Sequence, residues 1–290
     1  MPTVTHEHVT LPDPELAALA ERLPAPVVRA TRVGTLPGDP GRSLTLRLDL
    51  ADGTRCKARL LETRAHADRV ERLLALLDPH VFPQLLDRTG RATIEPWVDG
   101  DVPADPRGDV GAAARLGAIL GAVHATPAPD LAGADRRPPE ARLEPLRRRL
   151  GTLVDDRLIE PSSAADLAGR AEADLPEPVA PVIVHRDLAP ENAIRTADGS
   201  LRIIDNTTLD ERPPDYDLAR TWYRWPMDPS AAAAFDAAYR GWRTPPARGT
   251  LFWRIDVLVE VIDWRRGAGH GGIERALGLL RALAAPGASA

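Results

Sequence analysis

The chain has 290 residues, with 37 Lys and Arg against 42 Asp and Glu and a formal charge of −5, so no general basic character marks it for nucleic acid. Its one cysteine, Cys56, excludes an internal disulfide framework and fits a reducing compartment. No run approaches the roughly 18 uninterrupted apolar residues of a membrane span, and the first residues show neither the basic start nor the apolar stretch of a signal peptide. The expectation is a cytoplasmic protein with no membrane and no nucleic-acid partner.

In chain order, His6 and His8 form a lone pair near the terminus, too little for a metal site. Residues 13–23 read as a short amphipathic helix with Asp13 as cap and Pro14 in its first turn. Residues 27–33 form a strand, and a turn containing Gly34, Gly38 and Gly41 follows. Leu44, Leu46, Leu48 and Leu50 alternate along a second strand; Ala51-Asp52-Gly53 turns the chain, and 54–61 return as a third. On that third strand Lys57 and Arg59 share one face while Cys56 and Ala58 share the other. Lys57 is the only lysine; every other member of the Lys and Arg set is arginine. A position that stays lysine in so arginine-rich a chain is a candidate for a specific need for an ammonium. A helix over 65–77 carries the apolar stripe Val70, Leu73, Leu74 and Leu77, with Glu71 near its middle. Short strands at 84–87 and 92–95 precede Pro96-Trp97 and the turn Asp99-Gly100.

From there the pattern is mainly helical. Residues 109–125 form a helix of small residues suited to close packing. Further helices are expected at 140–154, 163–174 (opened by Ser163 and Asp166 as a capping pattern), 215–224, 229–242, 250–266 and 272–285. The fold class is α+β in two lobes, a β-rich lobe at 1–98 and a mainly helical one at 99–290. Between the helices lies the stretch 182–205, VIVHRDLAPENAIRTADGSLRIID. An apolar strand leads into His185, Asp187 and Asn192, and a hairpin through Ala-Asp-Gly-Ser delivers Asp205. An Asp or Asn in a loop is ordinarily a turn former or cap; three at this spacing, framed by strand and hairpin, are expected to converge on one point.

That set suits phosphoryl transfer, which depends on positioning and charge neutralisation. Asp187 is the candidate to orient an acceptor hydroxyl and take its proton. Asn192 and Asp205 offer the hard oxygen ligands that Mg2+ prefers. Lys57 is the candidate cation for the donor phosphates, with Arg59 its competitor on the same face. Glu71 is the candidate partner of that lysine, with Glu62 as the alternative. His185 is expected to brace the loop, and Arg186 to be a packing or surface residue.

HRDLAPEN followed by IID resembles the H-x-D-x-x-x-x-N…D signature of protein-kinase-like phosphotransferases, and within them the aminoglycoside phosphotransferase and choline kinase-like family. PPDYDLA at 213–219 is similar to that family's D-P-x-Y-D-L-A segment, IEPWVDGD at 94–101 to its hinge, and LGAILGAVHA at 116–125 to its helix ending in Leu-His. The absence of an A-P-E activation segment after Asp205 argues against a protein kinase. The resemblance spans most of 30–220 and implies a two-lobed protein-kinase-like fold, ATP (or GTP) and Mg2+. It also implies that Glu95 and Trp97 meet the adenine, and that the acceptor is a hydroxylated small molecule such as an antibiotic or related natural product. Related sequences often place the lysine where Arg59 stands, and carry Trp or Phe where this chain has Asn206. The acidic residues Asp210, Glu211 and Asp215 are either a solvated loop or an attractor for a cationic acceptor. Two alternatives stay open: a nucleotide-binding pseudokinase, and a kinase of choline, a sugar or a nucleoside.

Overall fold

A computed structural model describes residues 11–33, 44–131, 137–244, 250–267 and 272–285; the glycine turn at 34–43 and His6 and His8 lie outside them. The elements in order are α1 (Pro14–Ala20), β1 (Val27–Arg32), β2 (Leu44–Leu50), β3 (Arg55–Leu60), α2 (Arg64–Leu74), β4 (Asp87–Thr89), β5 (Ala92–Pro96), α3 (Val110–Ala125), α4 (Glu140–Asp155), α5 (Pro161–Ala173), β6 (Val182–Val184), β7 (Ala193–Arg195), β8 (Leu201–Ile203), β9 (Asp210–Arg212), α6 (Pro214–Arg224), α7 (Pro229–Arg240), α8 (Thr250–Gly267) and α9 (Glu274–Ala284). The class is α+β, as expected. No helix among the described residues is long and apolar enough to cross a membrane.

The chain divides into two compact units: residues 1–102 with 193–209, and residues 103–192 with 210–290. The division falls at 102/103, beside the boundary expected near residue 98, and the β7–β8 hairpin returns to the first unit. Backbone bonds explain that return. Asp101 and Arg195 exchange N–H and carbonyl at 3.1 and 2.8 Å, and Ile203 donates its N–H to the carbonyl of Val81 at 2.9 Å. Gly100 permits the approach: at φ 149°, a Cβ there would stand 2.2 Å from the Arg195 carbonyl oxygen.

In the first unit the strands form an antiparallel sheet in the order β1-β2-β3-β5-β4. The pleat sorts the side chains. Leu46, Leu48, Leu50, Cys56, Ala58, Ala92 and Ile94 are buried with Leu16 and Leu19 of α1, each large aliphatic side chain contributing about 2 kcal/mol. Lys57 and Arg59 necessarily take the opposite face. Helix α2 is capped by Thr63, whose hydroxyl accepts from the His66 N–H at 3.1 Å, and it buries Ala67, Val70, Leu73 and Leu74. The strand expected at 84–87 begins only at Asp87. Gln84 instead spends its side-chain amide on the carbonyls of Leu74 and Phe82, at 3.0 and 3.1 Å, closing the end of α2.

The second unit is helical, with a core built from α4, α5, α6, α8 and α9. Helix α3 packs closely on α7 because Gly117 has no side chain, and a Cβ there would meet the Phe235 carbonyl oxygen at 2.2 Å. Helix α5 starts at Pro161 in its first turn, ahead of the expected Ser163 cap. The one strand pair of this unit is β6 with β9, in the register Val182↔Arg212 and Val184↔Asp210. Strand β9 escaped the sequence reading because its residues are Asp, Glu and Arg.

Candidate active site

Each unit positions its own set of reactive groups. In the second, β6 ends at His185, and the following loop is held by a buried carboxylate on α6. Asp217, fully buried, accepts the backbone N–H of His185 at 2.7 Å and of Arg186 at 2.8 Å, and its Oδ2 lies 3.2 Å from Nε2 of His124 on α3. His124 in turn meets the Tyr239 hydroxyl at 2.8 Å through Nδ1. Arg186 sits at φ 68°, an unusual angle for a residue with a side chain. Both of its backbone groups are committed, the N–H to Asp217 and the carbonyl to Nε of Arg220 at 2.8 Å, so the conformation is imposed from two sides.

That bend presents Asp187. Its backbone N–H donates to Nδ1 of buried His185 at 3.3 Å, which gives His185 a bracing place. Asn192 donates its side-chain amide to the Asp187 carbonyl at 2.8 Å and to its carboxylate at 3.1 Å. Those bonds fix which way the Asn192 amide points. Two arginines one turn apart on α6 face the same carboxylate: Arg224 at 3.0 Å and Arg220 at 3.8 Å. Asp217, Arg220 and Arg224 thus lie along one face of the helix. Arg220 and Arg224 went unnoticed in the sequence, where their i, i+4 spacing was the available signal. The Arg186 guanidinium faces Asp210 at 3.5 Å and Glu260 at 3.9 Å, a packing role.

Burial alone pushes the Asp217 carboxyl up, but the hydrogen bond and charge of His124, with His185, bring it below the ordinary carboxylate range. A folded value below the unfolded one means stability present at neutral pH and lost as pH falls through the acid range. Asp217→Ala should take the acceptor from two amides and from Nε2 of His124 and cost about 3 kcal/mol, and its deficit relative to wild type should shrink toward pH 3. Urea denaturation at several pH values measures both.

In the first unit, β3 and its neighbours arrange the charges. Lys57 is paired across the sheet with Glu95, in register, and Nζ lies 2.9 Å from the Glu95 carboxylate. Arg59, two residues on, reaches Asp205 at 2.5 Å and the Thr207 hydroxyl at 3.0 Å. Thr207 also donates to Asp205 at 3.2 Å, and its carbonyl is 2.7 Å from Nε2 of His66. Asp205 is, like Arg186, a non-glycine residue in the left-handed region, at φ 65°. Burial, then the charge of Arg59, push the Lys57 ammonium below its ordinary range, while Glu95 and Asp205 pull it back. Burial also acts against the charge of Arg59, but Asp205 and Glu95 outweigh it and leave that guanidinium raised.

One expectation changes here. Glu71 does not pair with Lys57; it takes Arg88 at 2.9 Å, on the exposed side of α2, because Glu95 is already opposite Lys57 on the adjacent strand. The cation on Asp205 is Arg59. Trp97 has its backbone N–H committed to the Arg55 carbonyl at 3.1 Å and its ring under the Arg47 guanidinium, while Glu95 has its carboxylate on Lys57. Asn206 is buried and donates to the Ile203 carbonyl at 3.3 Å, which gives it a packing place under the hairpin. The acidic segment is not a solvated loop. Asp210, Glu211 and Asp215 are all buried; Asp210 meets Arg186 and Arg212, and Glu211 accepts the Leu131 N–H at 3.1 Å.

The fold recurs in solved structures. Macrolide 2'-phosphotransferase from Brachybacterium faecium is 19% identical, with a TM-score of 0.63 over 95% of this chain and 99% of that one. Spectinomycin phosphotransferase, solved with ADP and spectinomycin, is 14% identical, with a TM-score of 0.65 over 92% of this chain and 91% of that one. A putative fructosamine-3-kinase from Thermobifida fusca is 22% identical, with a TM-score of 0.61 over 93% and 96%. The fold is that of the protein-kinase-like phosphotransferases. A search of curated protein sequences returned no match. The family model for the phosphotransferase enzyme family matches residues 38–249, and the chain belongs to that family. It is a phosphotransferase.

Proposed function

We propose that this enzyme transfers the γ-phosphoryl group of ATP (or GTP) to a hydroxyl of a small molecule, with an antibiotic or related natural product as the acceptor class. The observation that carries the reading is the loop built around Asp187: a carboxylate held by Asn192 and two α6 arginines, on a bend fixed by Asp217. Such a group orients an incoming hydroxyl and accepts its proton as the oxygen attacks phosphorus. The proton passes to the Asp187 carboxylate, and the bond to the leaving nucleoside diphosphate breaks. Neighbours that act on macrolides and spectinomycin support the acceptor class.

Arg59 is our choice for the donor phosphates, because it is the cation against Asp205, and its fork suits two phosphoryl oxygens. Lys57 then holds Glu95 and adds positive charge on the same strand face. Asn192 and Asp205 fit Mg2+ by donor type: the Asn192 amide nitrogen is turned to Asp187, which leaves its oxygen for a ligand role, and Asp205 supplies a carboxylate. When bound, the ion would neutralise phosphate charge. The expectation of a cationic acceptor draws no support from Asp210 or Glu211, whose carboxylates are taken by Arg186, Arg212 and the Leu131 N–H.

Incubating the enzyme with ATP, MgCl2 and a panel of hydroxylated antibiotics, sugars, amino alcohols and nucleosides should give, for one class, a mass gain of a single phosphate. Thermal stabilisation by ATP with magnesium, but no product from any acceptor class, would favour a nucleotide-binding module over an enzyme.

A further inference from the structure

The second unit contains a cavity of about 430 Å³ enclosed by α6, α7, α8 and α9. Among the described residues, none of its lining comes from the loop that bears Asp187. The lining uses a different face of α6 from the one carrying Asp217, Arg220 and Arg224: Asp215, Leu218, Ala219 and Trp222 point into it, at i, i+3, i+4 and i+7. Its walls are aromatic, with Trp222, Trp225, Phe235 and Tyr239. This volume is that of small-molecule sites, and the aromatic walls are interleaved with charged side chains.

Two polar groups in it are unsatisfied. Oδ2 of Asp215 and the hydroxyl of Thr221 are buried, make no hydrogen bond, and belong to residues only 7% and 2% exposed. Buried oxygens are nearly always paired, and a lone carboxylate oxygen among aromatic rings is costly. Burial pushes the Asp215 carboxyl up to about 6, Arg243 acting against it, so at neutral pH the group is mostly ionised. The charged side chains that line the cavity with it are Arg240 and Asp236 of α7, Arg254 of α8 and Arg275 of α9, and Arg243 is the charge that acts on the carboxyl itself. Two of the three lining arginines are engaged with other groups. Arg254 stacks on the Trp222 ring at 4.7 Å, and Arg275 donates to the Tyr223 carbonyl at 2.5 Å.

We propose that this cavity is a second ligand site, distinct from the phosphoryl-transfer site, for a small aromatic amine whose ammonium pairs with Asp215 while its ring lies among the tryptophans, Phe235 and Tyr239. The aromatic walls supply area and rings for stacking, and the ammonium satisfies the orphaned Asp215 oxygen. The site touches the phosphotransferase machinery through α6, whose other face holds Asp187 and anchors the loop before it. Occupancy therefore bears on the enzyme without the occupant being phosphorylated.

Phenethylamine is the probe, and phenylacetate, of the same shape and opposite charge, is the control. Calorimetric titration of the full chain at pH 7.5 should show one equivalent of phenethylamine bound, with phenylacetate at least about tenfold weaker. Asp215→Asn should weaken phenethylamine by at least about tenfold, Ala232→Phe should abolish binding by filling the space, and Asp187→Asn should leave it unchanged. Thermal melts confirm that each variant is folded. Preference for phenylacetate, or equal phenethylamine binding by wild type and folded Asp215→Asn, overturns the proposal. Loss of binding in Asp187→Asn would place the amine in the transfer site instead, and also overturns it.

Discussion

Asp187→Asn should lower the rate of phosphoryl transfer by about 10³-fold, within the 10²–10⁴ range for removing a positioned general base, with little change in the affinity for ATP. The substitution keeps the shape and the hydrogen bond from Asn192 but takes away the proton acceptor. It also removes the negative charge that Arg224 and Arg220 face at 3.0 and 3.8 Å, so a modest loss of stability should accompany it. Single-turnover rates and ATP titration separate the two effects. A variant that turns over at the wild-type rate would remove Asp187 from the chemistry.

The second large effect distinguishes the two cations of β3. Arg59→Ala should weaken ATP by roughly 10- to 100-fold, the equivalent of about 1.5–3 kcal/mol for a lost charge-assisted contact. Lys57→Ala should be milder toward ATP and harsher toward stability, since it strands the Glu95 carboxylate inside the sheet, where the pair is buried at 8% and 7% exposure. Calorimetric ATP affinities and urea midpoints for both variants are the measurement. The opposite ranking, with Lys57→Ala the more damaging to ATP binding, would return the phosphate-holding role to the lysine.

The contrast between these two residues shows what the sequence could reveal. Alternation placed Lys57 and Arg59 on one face of a strand, and the sheet has them there, because a period of two leaves the pleat no choice. It could not say which carboxylate each would find. Lys57 meets Glu95 through cross-strand register, and register between β3 and β5 is set by two chain segments far apart in sequence. Glu71 was attractive for its place on the next helix, but Arg88 claims it.

The catalytic loop was readable because its groups are close in sequence: Asp187 and Asn192 are joined by a short turn, and their hydrogen bonds follow from that proximity. Arg220 and Arg224 were not, since they reach Asp187 from another helix. Rarity made the solitary lysine conspicuous, yet the cation on Asp205 is one of many arginines. Strand β9 was missed for a related reason: Asp210, Glu211 and Arg212 carry no strand pattern of their own. They are buried because β6 needs a partner and because Arg186 and Arg212 neutralise Asp210. Asn206, suspect as a departure from the resemblance, is accommodated by the Ile203 carbonyl above it.

The most direct test of phosphoryl transfer to a small-molecule hydroxyl uses ATP labelled with heavy oxygen in its γ-phosphoryl group, magnesium, and the acceptor that gains mass in the panel. The expected result is one phosphate ester per acceptor molecule, carrying the label, with one ADP formed for each. Unlabelled product, or ADP formed at the same rate with and without acceptor while the acceptor stays unmodified, would contradict it.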